Sequence, residues 1–357
     1  MKTAFSCVVL CVSLAFWIFS PACVYAQGVA QLANKIAFLR GQSVWVANPN
    51  GSHPHKFTNA SVPIDDFLFS PSLRYLAYSA VVGSAEEPGL WDTTETAPQR
   101  AICSIVIMDL QTQRTLKQTD SDWVYINRWL PQDRFLYHTS DGYAVGDSYI
   151  YDAHSRSILN IGMANERAWE SDFSFDGSME VYVDGEYVNK HTRYDLHCVD
   201  ANKSTDRVLL SRDFRIMQQR ISHSTKSIAF LQVQDPEVPG ASHQRDDVLW
   251  LYDLNNSTCL PLYRGPTNSM FAGVQYLEWS FDDQYVGMFF SGEAIVVDIK
   301  HPSRTVKTAG DHFSWIGNDK LIYTRSKCIY LYDLATRSSK MILKDADQTT
   351  FLQKPRE

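Results

Sequence analysis

Much of the chemistry a sequence can advertise is missing from this chain. After the first 26 residues no apolar run reaches 18, so no membrane-spanning helix is expected beyond that point. No basic run occurs either. Lys and Arg number 33 against 40 Asp and Glu, a formal net charge of −7. That balance argues against nucleic acid or an anionic membrane as the partner. Cysteine is sparse, at seven, and three of those (Cys7, Cys11, Cys23) fall in the first 26 residues. Cys103, Cys198, Cys259 and Cys328 have no metal-knuckle spacing; they read as small buried hydrophobes, with at most one bridge and no pairing decided. A nucleophile elbow is absent: Gly41-Gln42-Ser43 and Gly146-Asp147-Ser148 both lack the closing glycine. No Gly-x-Gly-x-x-Gly, phosphate loop or His-Glu-x-x-His appears.

What is present points to β structure. The 357 residues are 45% apolar and 13% aromatic, with 9 Trp and 18 Tyr. That is ample for a buried core and favours strands over a helical bundle. The N-terminus reads as an address. Lys2 precedes a 16-residue apolar run, about 24 Å as a helix and short of the roughly 30 Å bilayer core. Val24 and Ala26 suit a signal peptidase, which predicts cleavage after Ala26 and a secreted or periplasmic chain. A lipoprotein signal using Cys23 is the rival, although Ser20 stands where a Leu is expected. A retained anchor is the third reading. The predicted organisation is therefore a signal peptide over 1–26 and one domain over 27–357.

Self-similarity carries the fold. A strand ending in an apolar residue plus Asp recurs at Met108-Asp109-Leu110, Tyr151-Asp152-Ala153, Val199-Asp200-Ala201, Tyr252-Asp253-Leu254, Val297-Asp298-Ile299 and Tyr332-Asp333-Leu334. The Asp-to-Asp steps are 43, 48, 53, 45 and 35 residues. A degenerate first copy spans 44–48. Ahead of most copies stands a strand, a polar turn and another strand, as in Phe69-Ser70-Pro71, Phe173-Ser174-Phe175-Asp176-Gly177 and Trp279-Ser280-Phe281-Asp282-Asp283. Ser-Pro and Asp-Gly are turn chemistry, and the flanking alternation suits strands. A period near 45 predicts propeller blades of four strands, seven in all.

These motifs resemble the TolB-like propeller repeat, also called WD40-like or PD40. The likeness covers roughly residues 34–345 and is specific for fold. It implies an all-β, seven-bladed β-propeller of four-stranded antiparallel blades and suggests an envelope-associated scaffold. The α/β domain that precedes TolB's propeller is not expected here, because the first strand is read to follow the signal within about ten residues.

Strands are lettered a to d from the axis outward. Blade 2 is predicted as 67–70, 75–80, 104–109 and 114–119. The first copy starts at strand b (36–40), so the tail 349–353 is predicted to supply strand a of blade 1 and close the ring. Closure removes sheet edges that would otherwise pair with other chains.

Loop lengths point to function. The b–c and d–a connections share one face, called the loop face below. Blades 1, 6 and 7 have tight b–c turns. Blade 2 inserts roughly 81–100 and blade 5 roughly 234–247, with middling loops at 140–147 and 184–193 in blades 3 and 4. The candidate binding residues on this face are Trp91, Asp92, Asp122, Trp123, Tyr125, Tyr143, Arg167, Trp169, Tyr187, His191, Arg215, His243 and Arg245. Aromatic and Arg residues among acids fit a protein-binding patch. A monomer that binds a protein partner and uses no cofactor is the leading expectation. The rival is a metal-assisted lyase or lactonase-type enzyme, with a divalent cation at the channel mouth near Asp122, Glu166, Glu170, Asp213 and Asp311. A small-ligand binding module is the third reading. His53 and His55, two apart, are placed on the exposed c–d turn of blade 1.

Overall fold

The computed structural model describes residues 31–58, 62–86, 99–119, 124–140, 145–163, 171–174, 177–188, 191–200, 205–233, 245–267, 276–290, 293–310 and 312–352. The segment 1–26 read as a signal lies outside them. Seven four-stranded antiparallel sheets form a ring, a seven-bladed β-propeller. Blade 2 runs Ile64–Phe69, Tyr75–Glu86, Gln99–Asp109 and Arg114–Gln118 from a to d. Blade 3 runs Val124–Leu130, Arg134–Ser140, Val145–Asp152 and Ile158–Met163. Blade 4 runs Asp172–Phe173, Met179–Val188, His191–Asp200 and Thr205–Arg212. Blade 5 runs Arg215–Ile221, Ser227–Val233, Arg245–Asp253 and Thr258–Thr267. Blade 6 runs Tyr276–Trp279, Tyr285–Phe290, Glu293–Asp298 and Val306–Ala309. Blade 7 runs Phe313–Ile316, Lys320–Arg325, Cys328–Asp333 and Ser338–Lys344.

Blade 1 is assembled from both ends of the chain. Its strand a is Asp347–Leu352, followed by Lys35–Arg40, Ser43–Ala47 and His55–Lys56. The predicted closure is therefore present, with Lys35 opposite Leu352 and Ala37 opposite Thr350.

The repeated Ser and Asp residues owe their recurrence to turn geometry. In the a–b turns of blades 2, 4, 5 and 6 a buried Ser hydroxyl accepts the backbone N–H that opens strand b: Tyr75 to Ser70 at 3.1 Å, Met179 to Ser174 at 2.9 Å, Ser227 to Ser222 at 3.2 Å and Tyr285 to Ser280 at 2.9 Å. At the third residue past that site the backbone turns left-handed, as at Leu73, Gly177, Thr225 and Asp283. The Asp residues that close strand c in blades 2, 3, 5, 6 and 7 accept N–H groups from the turn that follows. Asp109 takes Gln111 and Thr112, Asp152 takes His154 and Ser155, and Asp298 takes Lys300 and His301. Those bonds hold the Asp152, Asp253 and Asp333 carboxyls below their ordinary range.

Between blades the core is mostly apolar. Buried clusters join blades 1 and 2, 2 and 3, 4 and 5, 5 and 6, 6 and 7, and 7 and 1. Among the described residues no such cluster spans blades 3 and 4. Near the axis that junction carries charge instead. Arg128, Asp172, Arg220 and Glu278 hold the equivalent position in strands a of blades 3 to 6, alternating in sign. Arg128 Nη1 donates to Asp172 Oδ1 at 3.4 Å, and the guanidinium lies over the Phe173 ring at 5.9 Å. Asp172 Oδ2 accepts the Ile221 N–H of blade 5 at 2.8 Å, so one carboxylate ties three blades. Burial lowers the Arg128 pKa to about 10. The same burial, with Arg128 close by, holds His138 neutral down to about 4.

Two readings are corrected. Within the stretches 81–100 and 184–193, read as loops, residues 81–86, 99–100, 184–188 and 191–193 are paired strand. In blade 2 the b–c ladder continues from Val81 opposite Cys103 to Glu86 opposite Gln99, past a bulge between Val81 and Gly83. In blade 4 it continues unbroken to Val188 opposite His191. Both are projecting β-ribbons, because alternating side chains and unbroken N–H donors keep the pairing going. All four described cysteines are free, and Cys103 and Cys198 are buried. His53 lies on the c–d turn of blade 1 as expected, while His55 opens strand d; both are exposed.

Candidate functional site on the loop face

The ribbons give the loop face an uneven height. Strands b and c of blade 2 have 12 and 11 residues, and those of blade 4 have 10 each. Their counterparts in blade 7 have 6 each. At about 3.3 Å per residue the blade 2 ribbon rises about 20 Å higher. Blade 5 adds an outer ribbon, with Arg245 opposite Thr267.

Tyr125, Arg215 and Arg245 sit at the loop-face starts of their strands, while Tyr187 and His191 stand at the tip of the blade 4 ribbon. Trp91, Asp92, Asp122, Trp123, Tyr143, Arg167, Trp169 and His243 lie outside the described residues, as do Glu166, Glu170 and Asp311. Asp213 is exposed on the link between blades 4 and 5. Among the described residues no group of three or more His, Cys, Asp or Glu could hold a metal ion.

Where the ring closes, between blade 7 and the inner edge of blade 2, lies a cleft of about 620 Å³ that the sequence reading missed. Arg40, Asp65, Lys327, Asp345, Asp347 and Gln348 line it. They come from the b–c turns of blades 1 and 7, the link between those blades, and the first residues of two inner strands. Hydrogen bonds fasten the seam. Arg40 donates through Nε to the Asp345 carbonyl at 3.1 Å and through Nη2 to the Lys344 carbonyl at 2.6 Å. Its guanidinium also covers the Phe38 and Trp45 rings. Gln348 Nε2 donates to the Asp65 carbonyl at 3.1 Å, and Ile64 N–H to the Gln42 carbonyl at 3.0 Å.

Asp66, next to Asp65, is the most perturbed carboxyl here. Burial pushes it up to about 6, against the bond it accepts from the Phe67 N–H and with the Asp65 charge adding to the rise. An unfolded Asp66 ionises near 3.8, whereas the folded one keeps its proton to about 6. Stability therefore falls as pH climbs from about 4 to about 6 and stays lower above that. Asp66→Asn keeps an acceptor for Phe67 and removes the buried charge. The variant is expected to be more stable than wild type at pH 7 by on the order of 2 kcal/mol, and equal to it at pH 3.5. Urea unfolding at the two pH values measures this; an unchanged difference between them refutes it.

Several solved β-propellers share this ring. An oligogalacturonate lyase in complex with manganese matches with a TM-score of 0.51 at 10% identity, over 87% of this chain and 86% of that one. A protein of unknown function from Desulfotomaculum acetoxidans matches at 0.51 and 8% identity, over 90% and 99%. TolB from Acinetobacter baumannii is also among the neighbours, at 0.43 and 12% identity, over 90% and 67%. No family model and no curated protein sequence matches the chain. At these identities the shared property is the fold, and the seven-bladed ring fits the TolB-like repeat read from the sequence. No described helix is long and apolar enough to cross a membrane.

Proposed function

We propose that the protein is a secreted or periplasmic scaffold that binds a protein partner through the loop face of blades 2–5. The observation that carries this is the pair of tall ribbons on blades 2 and 4, against six-residue b and c strands in blades 6 and 7. Paired ribbons hold their shape before contact, so less ordering entropy opposes binding than a free loop would impose. Rigid scaffolds place recognition on such projections. The chain acts as a monomer and needs no cofactor for this role.

The test is surgical. Residues 84–101 are excised and Gly83 is joined to Ile102 through Asn-Gly, a turn that suits a two-residue hairpin. Cross-linking in an envelope extract is then compared for wild type and variant. The expected result is a cross-linked species lost in the variant while its melting temperature stays within about 2 °C, since the ribbon lies outside the core. Equal cross-linking overturns the reading.

A second reading rests on Asp66. A carboxyl that burial raises to about 6, next to a second carboxyl in sequence, suits general acid catalysis at the channel mouth. Turnover of an oligosaccharide or lactone that disappears in Asp66→Asn would favour this enzyme over the scaffold.

A further inference from the structure

The cleft at the seam has a charge pattern of its own. Asp65, Asp345 and Asp347 line it, all exposed, and none has an ion-pair partner among the described residues. Of the two cations present, Arg40 is already committed to the Lys344 and Asp345 carbonyls and to two aromatic rings. That leaves Lys327 against three free carboxylates. Two further acceptors on the closing strand are unsatisfied. Gln348 Oε1, in the cleft lining, and Thr349 Oγ1, in a side chain 8% exposed, are buried atoms with no hydrogen-bond partner. An orphaned buried acceptor is costly, and a donor arriving with a ligand removes that cost.

The occupant must therefore bring positive charge and N–H donors. The carboxylates do not converge as metal ligands do. Asp65 and Asp347 stand on two different inner strands and Asp345 on the link between blades 7 and 1, a spread that a cation with several charges along its length can span. The volume also exceeds what one small ion fills and lies within the usual range for organic ligands. The cleft opens on the face that bears the ribbons, so a partner resting there brings its own chain to the cleft mouth.

We propose that the seam cleft receives a basic segment of the protein partner, whose Lys or Arg side chains pair with Asp65, Asp345 and Asp347 and donate to Gln348 Oε1. This rests on the reading of the loop face as a protein-binding surface. The cleft selects the partner by charge, and the ribbons supply contact area.

The probe is a fluorescein-labelled peptide of alternating Gly with Lys and Arg, read by fluorescence anisotropy with the whole secreted chain at low salt. A Gly/Glu peptide and free spermidine serve as comparisons. Saturable binding of the basic peptide alone is expected, weakening as salt rises. In Asp345→Asn/Asp347→Asn the affinity is expected to fall about tenfold, as suits the removal of two exposed ion pairs of modest strength. Asn is tolerated at both sites, since Asp345 has the left-handed backbone that Asn accepts and Asp347 is exposed. Gln348→Leu weakens binding further without removing charge. No saturable binding up to about 1 mM, equal binding of the acidic peptide, or wild-type affinity in the double variant overturns the proposal. Competition by spermidine at the same concentration as the peptide also overturns it, because the occupant is then a free polyamine. The variant lacking 84–101 should still bind the peptide. If peptide binding fails while cross-linking still depends on the ribbon, the cleft inference falls and the scaffold reading stands.

Discussion

Ending the chain after Ala346 is expected to abolish cooperative folding. The six residues of strand a in blade 1 would be lost, and with them the pairing from Lys35 to Leu39. Leu352 is 2% exposed and packs in the cluster between blades 1 and 2, while Phe351 packs between blades 7 and 1. Burying two such side chains contributes about 1.5–3 kcal/mol each. The ladder bonds add about 1 kcal/mol apiece. Together these are comparable with the whole net stability of an ordinary domain, about 5–15 kcal/mol. The truncated chain would also expose Lys35–Arg40 as an unpaired edge, which invites aggregation. Thermal unfolding and light scattering measure this outcome. A synthetic peptide of residues 347–357, added in excess, should restore a transition whose midpoint rises with peptide concentration. A soluble truncated protein with the wild-type transition would show that the ring holds without its closing strand.

That closure was legible in the sequence because the repeat has a local cause. Ser70, Ser174, Ser222 and Ser280 recur since one hydroxyl must satisfy the N–H that opens strand b. Asp109, Asp152, Asp253, Asp298 and Asp333 recur since one carboxylate must satisfy the turn after strand c. Such rules act within about five residues, so they survive as spacing. Counting strands from them leaves blade 1 one short and the tail as its donor. The ribbons were visible only as extra length. The ladder runs on through Gly83 and Gly185, inside the stretches read as inserted loops. The seam cleft left no trace at all. Its walls come from residues 39–42, 64–65, 327, 345 and 347–348, which become neighbours only when the two ends of the chain meet. The carboxylates there share no period and no motif.

The junction of blades 3 and 4 carries the other large expectation. No buried apolar cluster spans it among the described residues, and Asp172 serves Arg128 on one side and the Ile221 N–H on the other. Asp172→Ala would leave the Arg128 guanidinium buried without its anion and the Ile221 N–H without its acceptor. Nε and Nη2 of Arg128 already lack hydrogen-bond partners among the described residues, and Glu180 is left as the nearby carboxylate that acts on it through charge alone. Breaking a buried pair from one side costs about 3–5 kcal/mol, chiefly the penalty of the stranded charge. The same logic predicts a rescue. Arg128→Met with Asp172→Asn removes both charges, keeps an acceptor for Ile221 and fills the space over Phe173. That double variant is expected to recover to within about 1.5 kcal/mol of wild type, since replacing a buried ion pair as a unit is often close to neutral. Urea unfolding of the single and double variants at one pH gives the coupling directly. If Asp172→Ala costs under about 1 kcal/mol, or the double variant is as unstable as the single one, the charges are solvated there and the junction is held by something else. A strong coupling would instead explain why one inner position alternates in sign over four successive blades: each charge is held by its neighbour, and the ring tolerates replacing them only in pairs.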